Sequence, residues 1–201
     1  VETLYVKGSG WDLKTIEVEG FPPVDLNYLQ RLGKLNDLSD TQMMCELRLA
    51  LLDPAAPTPS VEAILHALIP HRYVDHTHTD AVVTLSNSEG GAARLAELFG
   101  NEVLILPYTM PGFVLAKQVA EATADSDWTK LRGIVLLNHG LFTFAEEAKD
   151  SYNAMIELVT RAENFIAGEV DDSATESVTP QCTFDRLAFA ELRYEAGKVF
   201  G

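Results

Sequence analysis

The stretch Ile134-Val135-Leu136-Leu137-Asn138-His139-Gly140-Leu141-Phe142-Thr143-Phe144 reads as two short apolar strands joined by a turn at Asn138-His139-Gly140. Outward from it the same alternation repeats in both directions. Towards the N-terminus lie a helix from about Gly112 to Ala124 and a strand Val103–Leu106. Before those come a helix Ala92–Phe99, a short helix over Asp80–Leu85 and a strand Tyr73–His78. Ser60 looks like the N-cap of a helix from Val61 to about Ile69, which Pro70 stops. Towards the C-terminus a long amphipathic helix runs from Glu146 to about Ile166. Strands alternating with helices over this span make an α/β domain.

The first third of the chain is less regular. Leu4-Tyr5-Val6 is a short strand, followed by the turn-prone Lys7-Gly8-Ser9-Gly10. Phe21-Pro22-Pro23 is a loop, and Asp25 caps a short helix through about Leu35. Ser39 or Asp40 caps the next helix, with Met43, Met44, Leu47 and Leu51 at helical spacing. Asp53 to Pro59 has three prolines in seven residues and must be an extended loop. At the other end, Asp171 to Thr183 is rich in Ser, Thr and acids, and Phe184 to about Ala196 has the pattern of a terminal helix. The expectation is one domain over residues 1–168 and a linker with a tail over 169–201. Val1 is not an initiator Met and the first residues already read as a strand, so residues are expected to precede it.

The 201 residues carry 15 basic and 30 acidic side chains, a formal charge of −15. Such a surface repels nucleic acid and anionic lipid, so neither is an expected partner. Cys45 and Cys182 are too few for a disulfide framework or a thiolate zinc site, which fits a reducing cytoplasm. No apolar run approaches the roughly 18 residues that suggest a membrane span.

His76-Thr77-His78 carries the chemistry. On a strand, residues i and i+2 face the same way, roughly 7 Å apart, so two imidazoles can converge on one ion while Asp75 and Thr77 point to the other side. A catalytic zinc takes three protein ligands and keeps a position open. His139 is the candidate third ligand: it ends a buried strand, and Gly140 allows a close backbone approach beside it. Two blander readings of His76 and His78 remain, a solvent-facing pair or a hydrogen-bonded core pair. Glu62 at a helix start favours an anion-friendly environment, or is simply a first-turn acid. Ser9-Gly10 is either an anion-binding turn or only a turn. His66 is read as packing on its helix and His71 as a surface residue.

The run Pro59-Ser60-Val61-Glu62, then His66, Val74-Asp75-His76-Thr77-His78 and Leu136-Leu137-Asn138-His139-Gly140-Leu141 resembles the class II aldolase/adducin family in order, spacing and local structure. Val6-Lys7-Gly8-Ser9-Gly10-Trp11-Asp12-Leu13 and Pro107-Tyr108-Thr109-Met110-Pro111-Gly112-Phe113 are similar to one bacterial group within it, the bifunctional rhamnulose-1-phosphate aldolase/alcohol dehydrogenases. There a class II aldolase domain is fused to a short-chain dehydrogenase. No Gly-x-Gly-x-x-Gly follows a strand in this chain, so it holds no dinucleotide site of its own.

The resemblance implies a three-layer α/β/α domain around a mixed, largely antiparallel sheet. It implies Zn²⁺, or another divalent metal, held by His76, His78 and His139, with Glu62 as the catalytic acid–base group. It also implies a sugar-phosphate substrate whose phosphate is held by Ser9, Gly10 and Ser60. The implied reaction is retro-aldol cleavage of a ketose 1-phosphate to dihydroxyacetone phosphate and a short aldehyde. The alternatives are a pentulose-5-phosphate 4-epimerase and a non-catalytic adducin-like module. A homo-oligomer, tetrameric by analogy, and a fused dehydrogenase are the implied partners. The chain departs from the family pattern at Val61, where Ser is frequent, and at Ala145, where Gly is usual. A Gly-Asn-x-Ser type segment that precedes the first strand in the family is not in this chain. The family's tyrosine acid has no secure match here, with Tyr108 as a candidate.

Overall fold

A computed structural model of the chain describes residues 1–169 and, beyond them, residues 191, 194, 195 and 198. The linker expected over 171–183 therefore lies outside the described residues, as does most of the terminal helix expected over 184–196. In chain order the elements are β1 (Thr3–Tyr5), β2 (Pro23–Asp25), α1 (Leu26–Leu32), α2 (Asp40–Leu49) and α3 (Ala63–Leu68). They continue with β3 (Tyr73–Thr77), α4 (Asp80–Asn87), α5 (Gly91–Phe99), β4 (Val103–Leu106) and α6 (Phe113–Ala122). The last are β5 (Gly133–Leu136), β6 (Gly140–Ala145) and α7 (Ala148–Glu169).

Four strands form the main sheet in the order β3-β6-β5-β4. β3 and β5 both pair antiparallel with β6, and only β4 runs parallel to its neighbour β5. The sheet is thus mixed and largely antiparallel, as the resemblance implies. β5 and β6 form a hairpin whose last pair is Leu136 with Gly140, so Leu137, Asn138 and His139 are its apex. That placement follows from the sequence: both strands are apolar apart from Thr143, and the one Asn-containing break lies between them.

Alternation along the strands gives each face of the sheet its own core. Ile134, Leu136, Phe142 and Phe144 pack on one side with residues of α1, α2, α3 and α6. Val135 and Leu141 pack on the other with Ala81, Val82 and Leu85 of α4, Leu95 and Phe99 of α5, and Met155, Leu158 and Ala162 of α7. Helices on both faces complete three layers and explain why β5 is buried at all four positions.

β3 shows the two faces at single-residue resolution. Asp75 accepts a hydrogen bond from the Ser151 hydroxyl at 2.6 Å, and the Thr77 hydroxyl lies 3.1 Å from the Met155 sulfur, both partners on α7. His76, between them, turns to the opposite face and stacks on Phe142, with ring centroids 3.9 Å apart. Ser151 is wholly buried, and its carbonyl also accepts from the Thr143 hydroxyl. The strand carrying the paired histidines is therefore tied to α7 through its other side.

Three expectations need correction. Pro23, expected at the end of a loop, is instead the first residue of a strand, Pro23–Asp25, paired with β1, a place where a missing N–H is tolerated. The third helix begins at Ala63 rather than Val61, with Glu62 as its N-cap residue. Ser60 still acts just ahead of it, its hydroxyl accepting from the Glu62 N–H at 3.2 Å. His71 is not a surface residue: its side chain is 18% exposed, stacked on Phe144 and edge-on to Trp128, with Nδ1 3.0 Å from Glu146. Pro70 ends the helix but does not expel the next residue from the fold. Among the described residues, no helix is long and apolar enough to cross a membrane.

Candidate metal centre

His76 sits next to last on β3, His78 one residue past its end, and His139 at the apex of the β5–β6 hairpin. Because β3 pairs with β6 in the register His76 with Phe142 and Thr77 with Leu141, the end of β3 lies beside the start of β6. The three imidazoles meet there. One ring nitrogen from each lies within 4.8 Å of the others. The ring centroids of His76 and His78, His76 and His139, and His78 and His139 are 4.8, 5.1 and 4.8 Å apart.

Glu62 reaches the same point from the start of α3. Its two carboxylate oxygens lie 3.5 Å from Nε2 of His76 and 3.4 Å from Nε2 of His139. At neutral pH these contacts are not ion pairs. Burial pushes the His76 imidazole down to about 3, against the pull of the Leu141 carbonyl and reinforced by the neighbouring histidines. Burial, and then His78, depress His139 as well. With a side chain only 12% exposed, Glu62 is pushed up by burial to about 7.

The tautomer of His76 follows from its partner. Nδ1 lies 3.1 Å from the Leu141 carbonyl oxygen, which can only accept, so Nδ1 carries the proton and Nε2 keeps its lone pair. That lone pair faces Nε2 of His78 at 3.0 Å, a contact satisfied by an N–H of His78 or by a shared cation.

This donor set fits a divalent metal. His76 and His139, held neutral by burial, need lose no proton to bind one, and three protein ligands leave a coordination position open. Two buried polar atoms at the cluster, Oε1 of Glu62 and Nδ1 of His139, have no hydrogen-bond partner. In a well-packed protein such orphans call for a reason, and a functional centre is one.

Gly140 makes the convergence possible. A Cβ added there would fall 2.5 Å from the Thr77 carbonyl oxygen, 2.8 Å from Cδ2 of His78 and 3.0 Å from Cε1 of His76. The first of these is backbone and cannot swing away. Gly140→Ala is expected to cost about 1–3 kcal/mol of stability through overpacking and to lower bound metal per chain, read by thermal melting and elemental analysis. Wild-type values on both would mean that the strand ends separate without disturbing the rings.

The three residues assigned to phosphate are placed beside one another, but with less built around them. An isolated bridge joins Gly8 to Pro59, Ser9 N–H donates to the Thr58 carbonyl, and Ser60 N–H donates to the Lys7 carbonyl. Ser9 and Ser60 thus lie on adjacent segments at the start of the Glu62 helix. Gly10 has a φ of +83°, which favours glycine, and open space where a Cβ would be. Tyr108 is half exposed, with its hydroxyl 3.8 Å from the Met110 sulfur, and makes no hydrogen bond to the histidines or Glu62. His66 packs against Phe142, which stacks in turn on His76.

Sequence reasoning missed the Leu141 carbonyl and Phe142 as partners of His76. Both depend on which strand pairs with β3, and no local pattern specifies that.

The sequence profile of the family described as Class II Aldolase and Adducin N-terminal domain matches residues 1–166. An uncharacterized oxidoreductase, YuxG of Bacillus subtilis (strain 168), is 33% identical over 171 residues. That match covers 85% of this chain but 24% of the relative, so the chain spans about a quarter of that protein's length. Among solved structures, the N-terminal class II aldolase domain of a conserved protein from Thermoplasma acidophilum is 38% identical, with a TM-score of 0.75. The match covers 82% of this chain and 75% of that one. An L-fuculose 1-phosphate aldolase shares the fold, with a TM-score of 0.54 at 18% identity over 96% of this chain and 78% of its own.

Proposed function

The chain belongs to the class II aldolase and adducin N-terminal domain family, and from that premise we propose that it is a metal-dependent aldolase domain cleaving a ketose 1-phosphate. The observation that carries the reading is the meeting of His76, His78 and His139 within 4.8 Å, with both carboxylate oxygens of Glu62 against the cluster. The 38% identity to a class II aldolase domain supports it. An adducin-like structural role would not require three imidazoles and a buried carboxyl at one point.

His76, His78 and His139 would hold Zn²⁺ or another divalent ion, which would supply Lewis acidity to the substrate. The chain's own residues do the rest. The Leu141 carbonyl fixes the His76 ring so that Nε2 faces the centre. Glu62 moves the proton. As the Glu62 carboxylate takes the proton of the C4 hydroxyl, the C3–C4 bond breaks and the bonding pair stays with C3. The Glu62 carboxyl then delivers a proton to that carbon, giving dihydroxyacetone phosphate beside the aldehyde. A carboxyl that burial holds near 7 can give and retake a proton around neutrality. Ser60 uses its hydroxyl oxygen to accept from the Glu62 N–H. Its own proton stays free for a phosphate oxygen, with Ser9 and the Gly10 backbone beside it.

The same residues serve a 4-epimerase, in which the aldehyde is re-added on its other face. A homo-oligomer, a cytoplasmic setting and a dehydrogenase partner domain belong to the proposal as well. The oxidoreductase name of the Bacillus subtilis relative accords with the last. The test is incubation of the metal-loaded protein with rhamnulose 1-phosphate and with ribulose 5-phosphate. Triose phosphate and aldehyde from the first support the aldolase. Formation of the 4-epimer from the second, without cleavage of the first, replaces it with the epimerase.

A further inference from the structure

Asn138 occupies the apex of the β5–β6 hairpin, directly before His139, and among the described residues it is the one non-glycine with positive φ, at +58°. The left-handed region costs an L-residue roughly 1–2 kcal/mol, least for Asn and Asp, so the contacts that hold it there matter. Two bonds do so, both to the C-terminal end of α4. Its N–H donates to the Ser86 hydroxyl at 3.2 Å, and its side-chain amide donates to the Asn87 side-chain oxygen. Ser86 is buried and its hydroxyl in turn donates to the Val83 carbonyl at 3.1 Å, so the anchor is itself fixed. The next residue takes its direction from this anchor. His139 N–H closes onto the Leu136 carbonyl at 3.2 Å, and its ring then meets His76, His78 and Glu62. Nδ1 of His139 has no hydrogen-bond partner of its own. Unlike His76, whose ring the Leu141 carbonyl orients, His139 is aimed only by its backbone and packing.

We propose that Asn138 is a positioning residue for the metal centre: its left-handed backbone and its tether to Ser86 and Asn87 on α4 set the direction in which His139 leaves the hairpin. The inference rests on the three-histidine reading. Outer-shell supports of metal ligands are typically worth 10–100-fold in affinity, and the ordering among variants distinguishes the two parts of the device. Asn138→Ala loses the side-chain bond to Asn87 and disfavours the backbone conformation. Asn138→Gly loses the same side-chain bond but keeps access to positive φ. Asn87→Ala leaves Asn138 in place and removes only the side-chain bond.

The experiment measures the Zn²⁺ dissociation constant by competition with a chromophoric chelator, the visible spectrum of the Co²⁺-loaded protein, and the thermal midpoint of each metal-free form. The expected result is a loss of about 10–100-fold for Asn138→Ala, with a shifted Co²⁺ spectrum. Smaller losses are expected for Asn138→Gly and Asn87→Ala. Wild-type affinity and spectrum in all three variants would overturn the positioning role while leaving the three-histidine site standing. So would weaker binding that tracks the fall in thermal midpoint with an unshifted spectrum. A wild-type protein that binds neither metal removes the site itself, and the inference with it.

Discussion

Glu62→Gln is expected to lower cleavage of the ketose 1-phosphate by roughly 10²–10⁴-fold, the usual contribution of a positioned acid or base, with bound metal near the wild-type level. Glutamine keeps the size and polarity of the side chain, and the three imidazoles that hold the metal are untouched. The variant lacks a proton that can be given and retaken. Activity within a few-fold of wild type would remove Glu62 from the reaction. Equal loss of metal and activity would make its role structural. The same substitution has a second, opposite effect. In the metal-free protein, burial raises the Glu62 carboxyl from 4.5 to about 7. A raised acid stabilises the fold only where it is protonated; as pH climbs from its unfolded value through 7, that stability is lost. By linkage the loss levels off on the order of 3 kcal/mol above pH 7. Glutamine carries no such burden. Melts of chelator-treated wild type and Glu62→Gln should therefore nearly coincide at pH 4, below the unfolded value, with the variant higher at pH 8.5. A gap independent of pH would mean that the carboxyl does not titrate there. The functional carboxyl thus sits where its ionised form destabilises the fold.

Much of this arrangement is readable from the chain, and the unreadable part has a common cause. His-x-His on a strand implies a shared face by backbone geometry alone, and β3 obeys it: His76 faces Phe142 while Asp75 and Thr77 face α7. The apolar run Ile134–Leu137 ending in Asn-His-Gly places a histidine at a strand end, as found. Pairing is different. That β3 lies against β6, in the register that brings Gly140 under the two rings, comes from long-range packing that no local pattern encodes. His71 fails as a surface residue for the same reason: Phe144 and Trp128, far away in sequence, cover it. Pro23 misleads through a propensity that tertiary pairing with β1 overrides. Glu62 is legible as a residue at a helix start. Its burial against two imidazoles is not, because three elements far apart in the chain build that pocket.

His76→Ala/His78→Ala is expected to take bound metal from about one ion per chain to nearly none, the largest effect of any change at the site. Donor count decides it. A catalytic zinc is held by three protein ligands, and the double substitution leaves one, His139, whose ring no hydrogen bond orients. Truncation also opens the side of the site that His76 closes by stacking on Phe142, so water can compete for what remains. Two readouts separate metal loss from misfolding. The first is elemental analysis after dialysis. The second is the thermal midpoint with and without Zn²⁺, since a ligand that binds only the folded state raises it by mass action. Wild type should melt higher with zinc and the double variant at one temperature regardless. His76 and His78 pack no deeper than the neighbouring aromatic shell, so the metal-free variant should still fold, which circular dichroism checks. If wild-type protein takes up no metal after incubation with zinc, and zinc leaves its midpoint unmoved, the three-histidine centre is wrong. Glu62 and the imidazoles would then be a buried polar cluster without an ion, and the aldolase reading would lose the observation that carries it.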